Sequence, residues 1–498
     1  MTSTEALDYL KTQDRHITTL GNIASVLSWD FETVMPKKAA EGRVEQFSLM
    51  ANLIHEAQTD PRIQEAVESI ETEGLTDAEK TLVKNWKKTV KESLATPLSL
   101  VTALSEAEGK AHGAWLEARE KNDFSIFLPS LTRLVDLKKE EAKCIGDGTY
   151  DTLLDRFEEG MTREKVSGLF DELEVSIHGL MDKLSGVEVD SSFLTQSYDP
   201  SLLNAFCMRV IDDMGFDRER GTVGIVAHPF TINLGRDDIR ISNRFSDPSI
   251  LDPICSITHE TGHALYEMYA ALNPEIRGTS LSGGVSMGIH ESQSRFWENL
   301  MGRSFAFWEH YYPLLQSYIP TLKEVSLESF VKAANKTEPS AIRVNADELT
   351  YSLHIILRYR IEKALFEGTL SPRDVPEAWN KASKETIRYT VKADGEGCLQ
   401  DSHWSNGQFG YFPTYALGNL YSAMFLEALY RDCGGKTAVD AALREGNLSL
   451  ITDWQRKNIW QYGSIYAPSE LLLRTTGKTL SSDSFESYLE EKFTTLYL

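Results

Sequence analysis

Cysteine is scarce in this sequence, and its spacing does not suit cross-linking. The chain has five cysteines among 498 residues, an odd number, and no two of them form a Cys-x-x-Cys pair. They are Cys144, Cys207, Cys255, Cys398 and Cys433. Neither a disulfide framework nor a thiolate zinc site is therefore indicated.

Positive charge and long apolar runs are also lacking. Lys and Arg number 51 against 74 Asp and Glu, which gives a net charge of −23 at pH 7. Nucleic acids and anionic membrane surfaces bind basic patches, so neither is expected as a partner. No apolar run approaches the length of a membrane span, and residues 1–6 lack the basic and apolar pattern of a signal peptide. We therefore expect a cytoplasmic protein.

Most of the chain has the apolar spacing of amphipathic helices. Hydrophobic residues make up 41% of the chain, enough for a large core. We find no internal repeat, low-complexity tract or Pro/Gly/Ser-rich linker that would divide it. The simplest prediction is one mainly α domain over residues 1–498. Two clear stripes of helical spacing are Leu10, Ile17, Leu20, Ile23 and Leu27, and Leu349, Leu353, Ile356, Leu357, Ile361 and Leu365.

Two segments depart from the helical pattern. Residues 222–232 and 238–245 are rich in Val, Ile, Thr and Phe, and residues 234–237 between them are typical of a turn. They predict a small β-hairpin or sheet. A free strand edge there would suit an extended peptide held by main-chain hydrogen bonds, and a purely structural hairpin fits the pattern equally well.

The segment His259-Glu260-Thr261-Gly262-His263 predicts a metal site on a helix. We expect that helix to be capped by Asp252, with Pro253 in its first turn, and to end at Asn273-Pro274. The two histidines are four residues apart, so both imidazoles project from one face, where one ion can bind both. Glu260 lies about 100° round the helix, where it is suited to contact water beside the metal.

A third ligand is needed, because two histidines on a helix also arise by chance. Glu291 lies 28 residues after His263, beyond a loop rich in Gly and Ser at 278–284, on a second predicted helix. An isolated helical Glu is usually a solvated charge, but the neighbouring motif makes Glu291 the candidate ligand. Two imidazoles and a carboxylate suit Zn²⁺ and leave a fourth position open, although ligand type alone also permits Co²⁺ or Mn²⁺.

Further motifs appear in a set order along the chain. They are Trp29-Asp30-Phe31-Glu32-Thr33-Val34-Met35-Pro36, His228-Pro229-Phe230, Asp238-Ile239-Arg240, the zinc helix, His290-Glu291-Ser292-Gln293, Ile342-Arg343-Val344-Asn345-Ala346-Asp347 and Gly397-Cys398-Leu399-Gln400-Asp401-Ser402-His403-Trp404. Together these motifs resemble those of the Taq-type zinc metallocarboxypeptidases. One departure is Ser242, where the family usually has Thr.

The resemblance implies a helical fold around a deep substrate groove, similar in plan to angiotensin-converting enzyme and neurolysin. It also implies a homodimer and the removal of single residues from peptide C-termini. With this fold, the active-site region would span about residues 222–415.

Roles follow for several residues if the chemistry is peptide hydrolysis. Glu260 is predicted to be the general base. His403 and a tyrosine, either Tyr411 or Tyr415, are candidates to stabilise the oxyanion, with Tyr415 preferred; core packing is the alternative for both tyrosines.

Recognition of the substrate requires other groups. Arg343 is suited to a peptide's terminal carboxylate, beside the N-terminus of a helix expected to begin near Ala346. Its alternative is a structural ion pair with an acid such as Asp347. His228 and Arg240 are expected either to bind the substrate main chain or to brace the hairpin.

Three other functions remain open from the sequence. A helical zinc oligopeptidase or dipeptidase would use the same metal site. A non-catalytic, metal-stabilised scaffold that binds peptides would need no base beside the metal, so Glu260 argues against it. A helical adaptor without metal would require every motif to be coincidental.

Overall fold

Helices form most of the chain, as the sequence predicts. The computed structural model describes residues 1–245 and 248–498. Nine α-helices precede the strands: α1 (Ser3–Thr33), α2 (Ala40–Gln58), α3 (Pro61–Ser69), α4 (Asp77–Ala95), α5 (Leu98–Lys121), α6 (Phe124–Ile145), α7 (Tyr150–Leu154), α8 (Arg163–Lys183) and α9 (Pro200–Asp213).

The remaining α-helices follow the strands, starting with the one that carries the His-Glu-x-x-His segment. They are α10 (Asp252–Ala270), α11 (Met287–Arg295), α12 (Phe305–Tyr318), α13 (Leu327–Ala334), α14 (Glu348–Glu367), α15 (Val375–Ala382), α16 (Pro413–Asp432), α17 (Lys436–Arg444), α18 (Ser449–Asn458), α19 (Pro468–Thr476) and α20 (Asp483–Tyr497). Among the described residues, no helix combines the length and apolar character needed to cross a bilayer.

Shorter helical segments join these elements. The 3₁₀ turns are Lys37–Ala39, Ser192–Leu194, Pro320–Glu324, Arg343–Asn345, Pro372–Asp374, Trp404–Asn406 and Trp460–Tyr462. Two segments are π-helical, Phe296–Met301 directly after α11 and Ser383–Ile387 after α15.

The predicted hairpin is a three-stranded sheet. Its strands are β1 (Gly221–Ile225), β2 (Thr231–Asn233) and β3 (Ile239–Asn243), in the order β1-β3-β2. β2 and β3 form the expected antiparallel hairpin, and β1 pairs with β3 in parallel. The predicted small hairpin or sheet is therefore confirmed, and residues 222–232 contribute to two of its strands, β1 and β2. Pro229 lies in the break between β1 and β2, and it has no N–H with which to continue a ladder.

In the part of the chain that the structure describes, three apolar clusters stabilise the molecule, the smallest of which is formed by Leu100, Leu104 and Leu137. The largest one contains buried residues from Ala111 to Phe493, and it includes the apolar side of α10 and much of α14 and α16. A smaller one joins α1, α3 and α4 to Ile276, Leu281 and Ile465. The single domain over 1–498 stays a prediction.

Helix α10 lies across the sheet with most of its side chains buried. Ile257, Ala264 and Leu265 have no exposed surface. The helix begins at Asp252 with Leu251 at the N-cap position, so the prediction that Asp252 caps it is wrong. Asp252 lies instead in the first turn, where its negative charge is favourable. The helix ends at Ala270, three residues before the expected Asn273.

Candidate metal centre

Gly262 allows α10 and α11 to approach each other very closely. A Cβ atom at this position would lie 2.4 Å from the carbonyl oxygen of Gln293 and 2.7 Å from Cα of Ser294. Any side chain there would therefore push the two helices apart. Because α10 carries His259 and His263 and α11 carries Glu291, this contact sets the spacing of the three candidate ligands.

His259, His263 and Glu291 converge as the sequence predicts. Their potential ligand atoms all lie within 4.8 Å of one another. Oε2 of Glu291 is 3.4 Å from Nε2 of His263 and 3.7 Å from Nε2 of His259. Two atoms that each lie about 2.1 Å from a tetrahedral ion are about 3.4 Å apart, so the donor type and spacing both fit zinc.

A carboxylate orients the first histidine. Glu298, in the π-helical segment after α11, places Oε2 2.8 Å from Nδ1 of His259. Arg295 donates to that same oxygen over 3.3 Å. Burial opposes charge on Glu298, but Arg295 and His259 outweigh it and lower the pKa to about 2. The ionised carboxylate thus fixes Nδ1–H of His259 and leaves Nε2 free to face Glu291.

The second histidine is held by stacking. His263 lies against the ring of His290, with centroids 4.5 Å apart and an interplanar angle of 25°. Nε2 of His290 is 2.9 Å from Glu267 Oε1, and Asn233 of β2 donates to Oε2 of Glu267 over 2.7 Å. Burial lowers the pKa of His263 to about 3. The imidazole is therefore neutral, as a metal ligand must be.

Glu291 is held from two sides. Arg295 donates Nε–H to its Oε1 over 2.7 Å, and Ser294 donates its hydroxyl to Oε2 over 3.1 Å. Behind it, Gly418 of α16 leaves no room for a Cβ, which would lie 2.7 Å from Cγ of Glu291. Although burial opposes the charge, Arg295 and the two histidines keep the pKa of Glu291 well below its usual value. Glu291 is thus a preformed carboxylate ligand.

Glu260 lies next to these ligands and contacts the sheet. Thr231, the first residue of β2, donates its hydroxyl to Oε2 of Glu260 over 2.6 Å. Burial raises the pKa of Glu260, whereas the neighbouring His259 and Thr231 lower it. A buried carboxylate of raised pKa is suited to accept and return a proton.

His403, Tyr411 and Tyr415 form an aromatic cluster close to the same site. Nε2 of His403 is 3.1 Å from the hydroxyl of Tyr415, and the two tyrosine rings are 5.3 Å apart. Burial lowers the pKa of His403 to about 3 and raises that of Tyr411 to about 12. The Tyr411 hydroxyl lies 3.8 Å from the sulfur of Met287 at the start of α11, and Tyr415 lies one helical turn before Gly418, so both tyrosines lie near Glu291. The cluster therefore offers a neutral imidazole and two protonated phenols.

Arg343 belongs to a buried ion-pair network. It donates Nε–H and Nη2–H to Oδ1 of Asp401 over 3.0 and 2.9 Å, and Nη1–H to Tyr351 over 3.0 Å. Its guanidinium carbon also lies 4.8 Å from the ring centre of Tyr415. Arg358 holds the other oxygen of Asp401 over 2.7 Å. The guanidinium is thus fixed in place with two of its five N–H groups unused.

The surroundings of Arg343 differ from the prediction in two respects. Its acidic partner is Asp401 and not Asp347, which instead accepts from the backbone N–H of Thr350. Helix α14 begins at Glu348 and not near Ala346, because Asp347 is its N-cap. The helix N-terminus expected to help bind an anion is therefore occupied by the side chain of Asp347.

His228 and Arg240 are not brought to the metal ligands. His228 is exposed and lines a cavity of about 720 Å³, whose other lining residues include Asn204, Ile225 and Phe245 but none of the three ligands. Arg240 is bound by both oxygens of Asp238, at 2.8 and 2.7 Å, and lies over the ring of Trp29. These contacts favour the bracing alternative for Arg240.

Ser242, the departure from the family pattern, has a clear structural role. Its buried hydroxyl accepts from the backbone N–H of Phe230 over 2.8 Å and donates to the Phe230 carbonyl over 3.0 Å. Only the hydroxyl is needed for these bonds.

Several supporting residues carry no role in the sequence prediction. Thr231, Glu298 and Asp401 bind the predicted site residues Glu260, His259 and Arg343 through hydrogen bonds, and Glu267 binds His290, which stacks on His263. For Glu298 a signal exists, because it lies seven residues after Glu291 and therefore near the same helical face. The others lie 23 to 58 residues from their partners, and no local pattern links them.

Comparisons with known proteins agree with this site. The family model described as "Carboxypeptidase Taq (M32) metallopeptidase" matches residues 9–493. Thermostable carboxypeptidase 1 of Thermus thermophilus is 39% identical, with all of both chains covered. Carboxypeptidase 1 of Bacillus subtilis is 36% identical over 99% of this chain and 98% of its own.

A solved structure shows the same fold. The M32 carboxypeptidase of Deinococcus radiodurans matches with a TM-score of 0.93 and 34% identity over 99% of each chain. The resemblance inferred from the motifs and the predicted fold class are both confirmed. The chain belongs to the Taq-type (M32) family of metallocarboxypeptidases, which are peptide hydrolases.

Proposed function

We propose that this chain is a zinc carboxypeptidase that removes single residues from the C-termini of peptides. The observation that carries the proposal is that the ring of Tyr415 lies 4.8 Å from the guanidinium carbon of Arg343, in the helix whose Gly418 packs against Glu291. A metal ligand and a fixed guanidinium therefore flank one aromatic cluster. This arrangement suits a substrate whose terminal carboxylate and last peptide bond are bound together.

The metal would be held by His259, His263 and Glu291, with Zn²⁺ favoured and Co²⁺ or Mn²⁺ as possible substitutes. When bound, zinc supplies Lewis acidity, which makes water more acidic and a carbonyl more electrophilic. Glu260 accepts a proton from the attacking water on its carboxylate and transfers it to the departing amine nitrogen. Thr231 holds that carboxylate in place through Oε2.

His403 and Tyr415 are proposed to stabilise the negative charge that develops on the scissile carbonyl oxygen. Both are suited to donate a hydrogen bond, because burial keeps the imidazole neutral and the phenol protonated. Tyr415 is preferred to Tyr411, since its hydroxyl faces Nε2 of His403, whereas the Tyr411 hydroxyl lies 3.8 Å from the sulfur of Met287.

Arg343 is proposed to bind the terminal carboxylate of the substrate. Its side chain is 8% exposed, and Asp401 compensates its charge without using the whole guanidinium. A rigid, partly satisfied arginine can bind a carboxylate bidentately with little loss of side-chain entropy. We propose a weaker role for His228, in contact with the peptide main chain, and a bracing role for Arg240.

Two broader features rest on resemblance and composition alone. We propose a homodimer, which light scattering of the purified protein would test. The cytoplasmic location also stays a prediction.

The proposal is tested by a mass-spectrometric time course on one peptide in three forms: free, C-terminally amidated and N-terminally acetylated. Each is run with added zinc and again with a chelator. Single-residue losses from the C-terminus that amidation and chelator block, but acetylation does not, are the expected result. Internal or dipeptide cuts that ignore amidation would instead assign the chain to the oligopeptidase class.

A further inference from the structure

We propose that Glu362 is a positioning residue for the reaction. Its carboxylate, on α14, fixes the loop between His403 and Tyr411. Glu362 lies in α14 and has no exposed surface. It contacts neither the metal ligands nor a predicted substrate-binding residue. This inference rests on the proposed function, because it acts through the proposed role of His403 and through Tyr411, whose ring packs against that of Tyr415.

The carboxylate of Glu362 binds the loop at both ends. Oε1 accepts from the indole N–H of Trp404 over 2.7 Å, and Oε2 accepts from the backbone N–H of Gly410 over 2.9 Å. Trp404 directly follows His403, and Gly410 directly precedes Tyr411. A third donor, the hydroxyl of Tyr150, also binds Oε2. One side chain therefore fixes the neighbour of the proposed catalytic residue His403 and the neighbour of Tyr411, which packs against Tyr415.

The loop conformation explains why such an anchor is needed. Gly407 and Gly410 both have positive φ, at 67° and 91°, so the chain reverses sharply within a few residues. The backbone at Gly410 also lies tightly against residue 153, because a Cβ there would be 2.7 Å from the carbonyl carbon of Leu153. Regular backbone hydrogen bonding in this loop is confined to the short 3₁₀ turn Trp404–Asn406 and the residues next to it. The position of the loop depends on side-chain bonds such as those of Glu362.

The alternative is that Glu362 only stabilises the fold, and the substitution Glu362→Gln separates the two. The N–H groups of Trp404 and Gly410 are donors only, and they approach different oxygens. A glutamine offers one oxygen and one NH₂ group. Whichever way its amide turns, the N–H of either Trp404 or Gly410 faces the NH₂ group, and that hydrogen bond is lost.

The first readout is hydrogen exchange of the segment 403–411 in the zinc-loaded enzyme, which is independent of turnover. We expect faster exchange in Glu362→Gln than in the parent protein. Tyr150→Phe removes the third donor but leaves both loop bonds, so its exchange in this segment should match the parent's. Unchanged exchange in Glu362→Gln would overturn the proposal.

The second readout is kinetic, with a matched control on the same helix. Glu348 is also a buried carboxylate of α14, but it is bound by Tyr488 and Lys492 of α20. We expect Glu362→Gln to lower kcat by about 10- to 100-fold, as a misplacement of order 1 Å does, with KM and zinc affinity little changed. Glu348→Gln should lower the unfolding temperature but keep kcat. Equal losses of kcat in both variants would indicate a general structural effect and overturn the proposal.

A combined variant links the effect to the loop. If Glu362 acts through His403 and Tyr411, adding Glu362→Gln to His403→Ala should lower kcat by clearly less than it does in the parent. If Glu362→Gln does not fold, Glu362→Asp is used instead, because its shorter side chain keeps the charge but moves the carboxylate away from the N–H groups of Trp404 and Gly410. The same faster exchange and lower kcat are expected for it. Normal kcat in both His403→Ala and Tyr415→Phe would contradict the proposed function and overturn the positioning role of Glu362. Reduced kcat in those variants with normal kcat in Glu362→Gln would overturn the inference alone.

Discussion

Replacing Gly262 by alanine tests whether the contact between α10 and α11 sets the metal geometry. The added Cβ would lie 2.4 Å from the backbone oxygen of Gln293, whereas real Cβ contacts are essentially never below 3.0 Å. The helices must therefore separate by roughly 0.6 to 1 Å at this point. Metal ligands tolerate displacements of only about 0.2 Å. His263 and Glu291 would move apart by more than the ion accommodates.

The magnitude follows from two opposing effects. Alanine favours the helix over glycine by about 0.5–1 kcal/mol, while overpacking against backbone costs about 1–3 kcal/mol. We expect a net destabilisation of about 1–2 kcal/mol and a zinc affinity about 10- to 100-fold weaker, the range seen when the support of a metal ligand is lost.

The measurements are a zinc titration against a competing chelator and thermal unfolding with and without metal. The control is Gly168→Ala on the exposed face of α8, where an added Cβ meets nothing within 4 Å. That variant should gain stability and keep its zinc affinity. Parent-like zinc binding and an unchanged or higher unfolding temperature in Gly262→Ala would refute the reasoning.

Three further predictions concern the carboxylates and the arginine. Glu260→Gln should bind zinc as the parent does, since Glu260 is not a ligand, yet lose turnover; substantial remaining activity would remove Glu260 as the base. Arg343→Ala should lower kcat/KM on free-ended peptides by about 10- to 100-fold, and that on C-terminally amidated peptides far less. Equal effects on both peptides would exclude the carboxylate role. Glu158 is buried, which raises its pKa to about 7 despite hydrogen bonds from Tyr421, Ser286 and Gly288. A raised carboxyl pKa gives stability that is lost as pH rises from about 4.5 to 7, because the unfolded state ionises first. The unfolding temperature of Glu158→Gln relative to the parent should therefore increase between pH 5 and pH 8, and a difference independent of pH would contradict this.

The sequence predicts those parts of the site that depend on local spacing. His259 and His263 share a face because they are four residues apart on a helix, and Glu260 is placed by the same geometry. Glu291 required a longer step, from a loop and an antiparallel partner helix, and the structure confirms the convergence of these three ligand side chains. Helical periodicity and the composition of the intervening loop were sufficient to predict that His259, His263 and Glu291 meet.

Contacts between distant segments were not predictable in the same way. Asp401 lies 58 residues from Arg343, and nothing in either segment selects it over Asp347, which is only four residues away. The parallel pairing of β1 with β3 likewise depends on the path of the chain between them. Pro229, however, is a local signal in the sequence that strand pairing is interrupted within residues 222–232, between β1 and β2.

The π-helical segment Phe296–Met301 has a consequence for how this part of the chain tolerates changes in length. A π turn contains one residue more than an α turn, and it arises when a single residue is inserted into a helix. Deleting one residue there would restore regular α geometry, but the residues inside the segment would turn to a different face of the helix relative to α11. Glu298, whose carboxylate holds His259, lies within this segment. The number of residues between α11 and Glu298 is therefore more tightly constrained than their identity. A one-residue deletion before Glu298 would separate His259 from its carboxylate without breaking the helix.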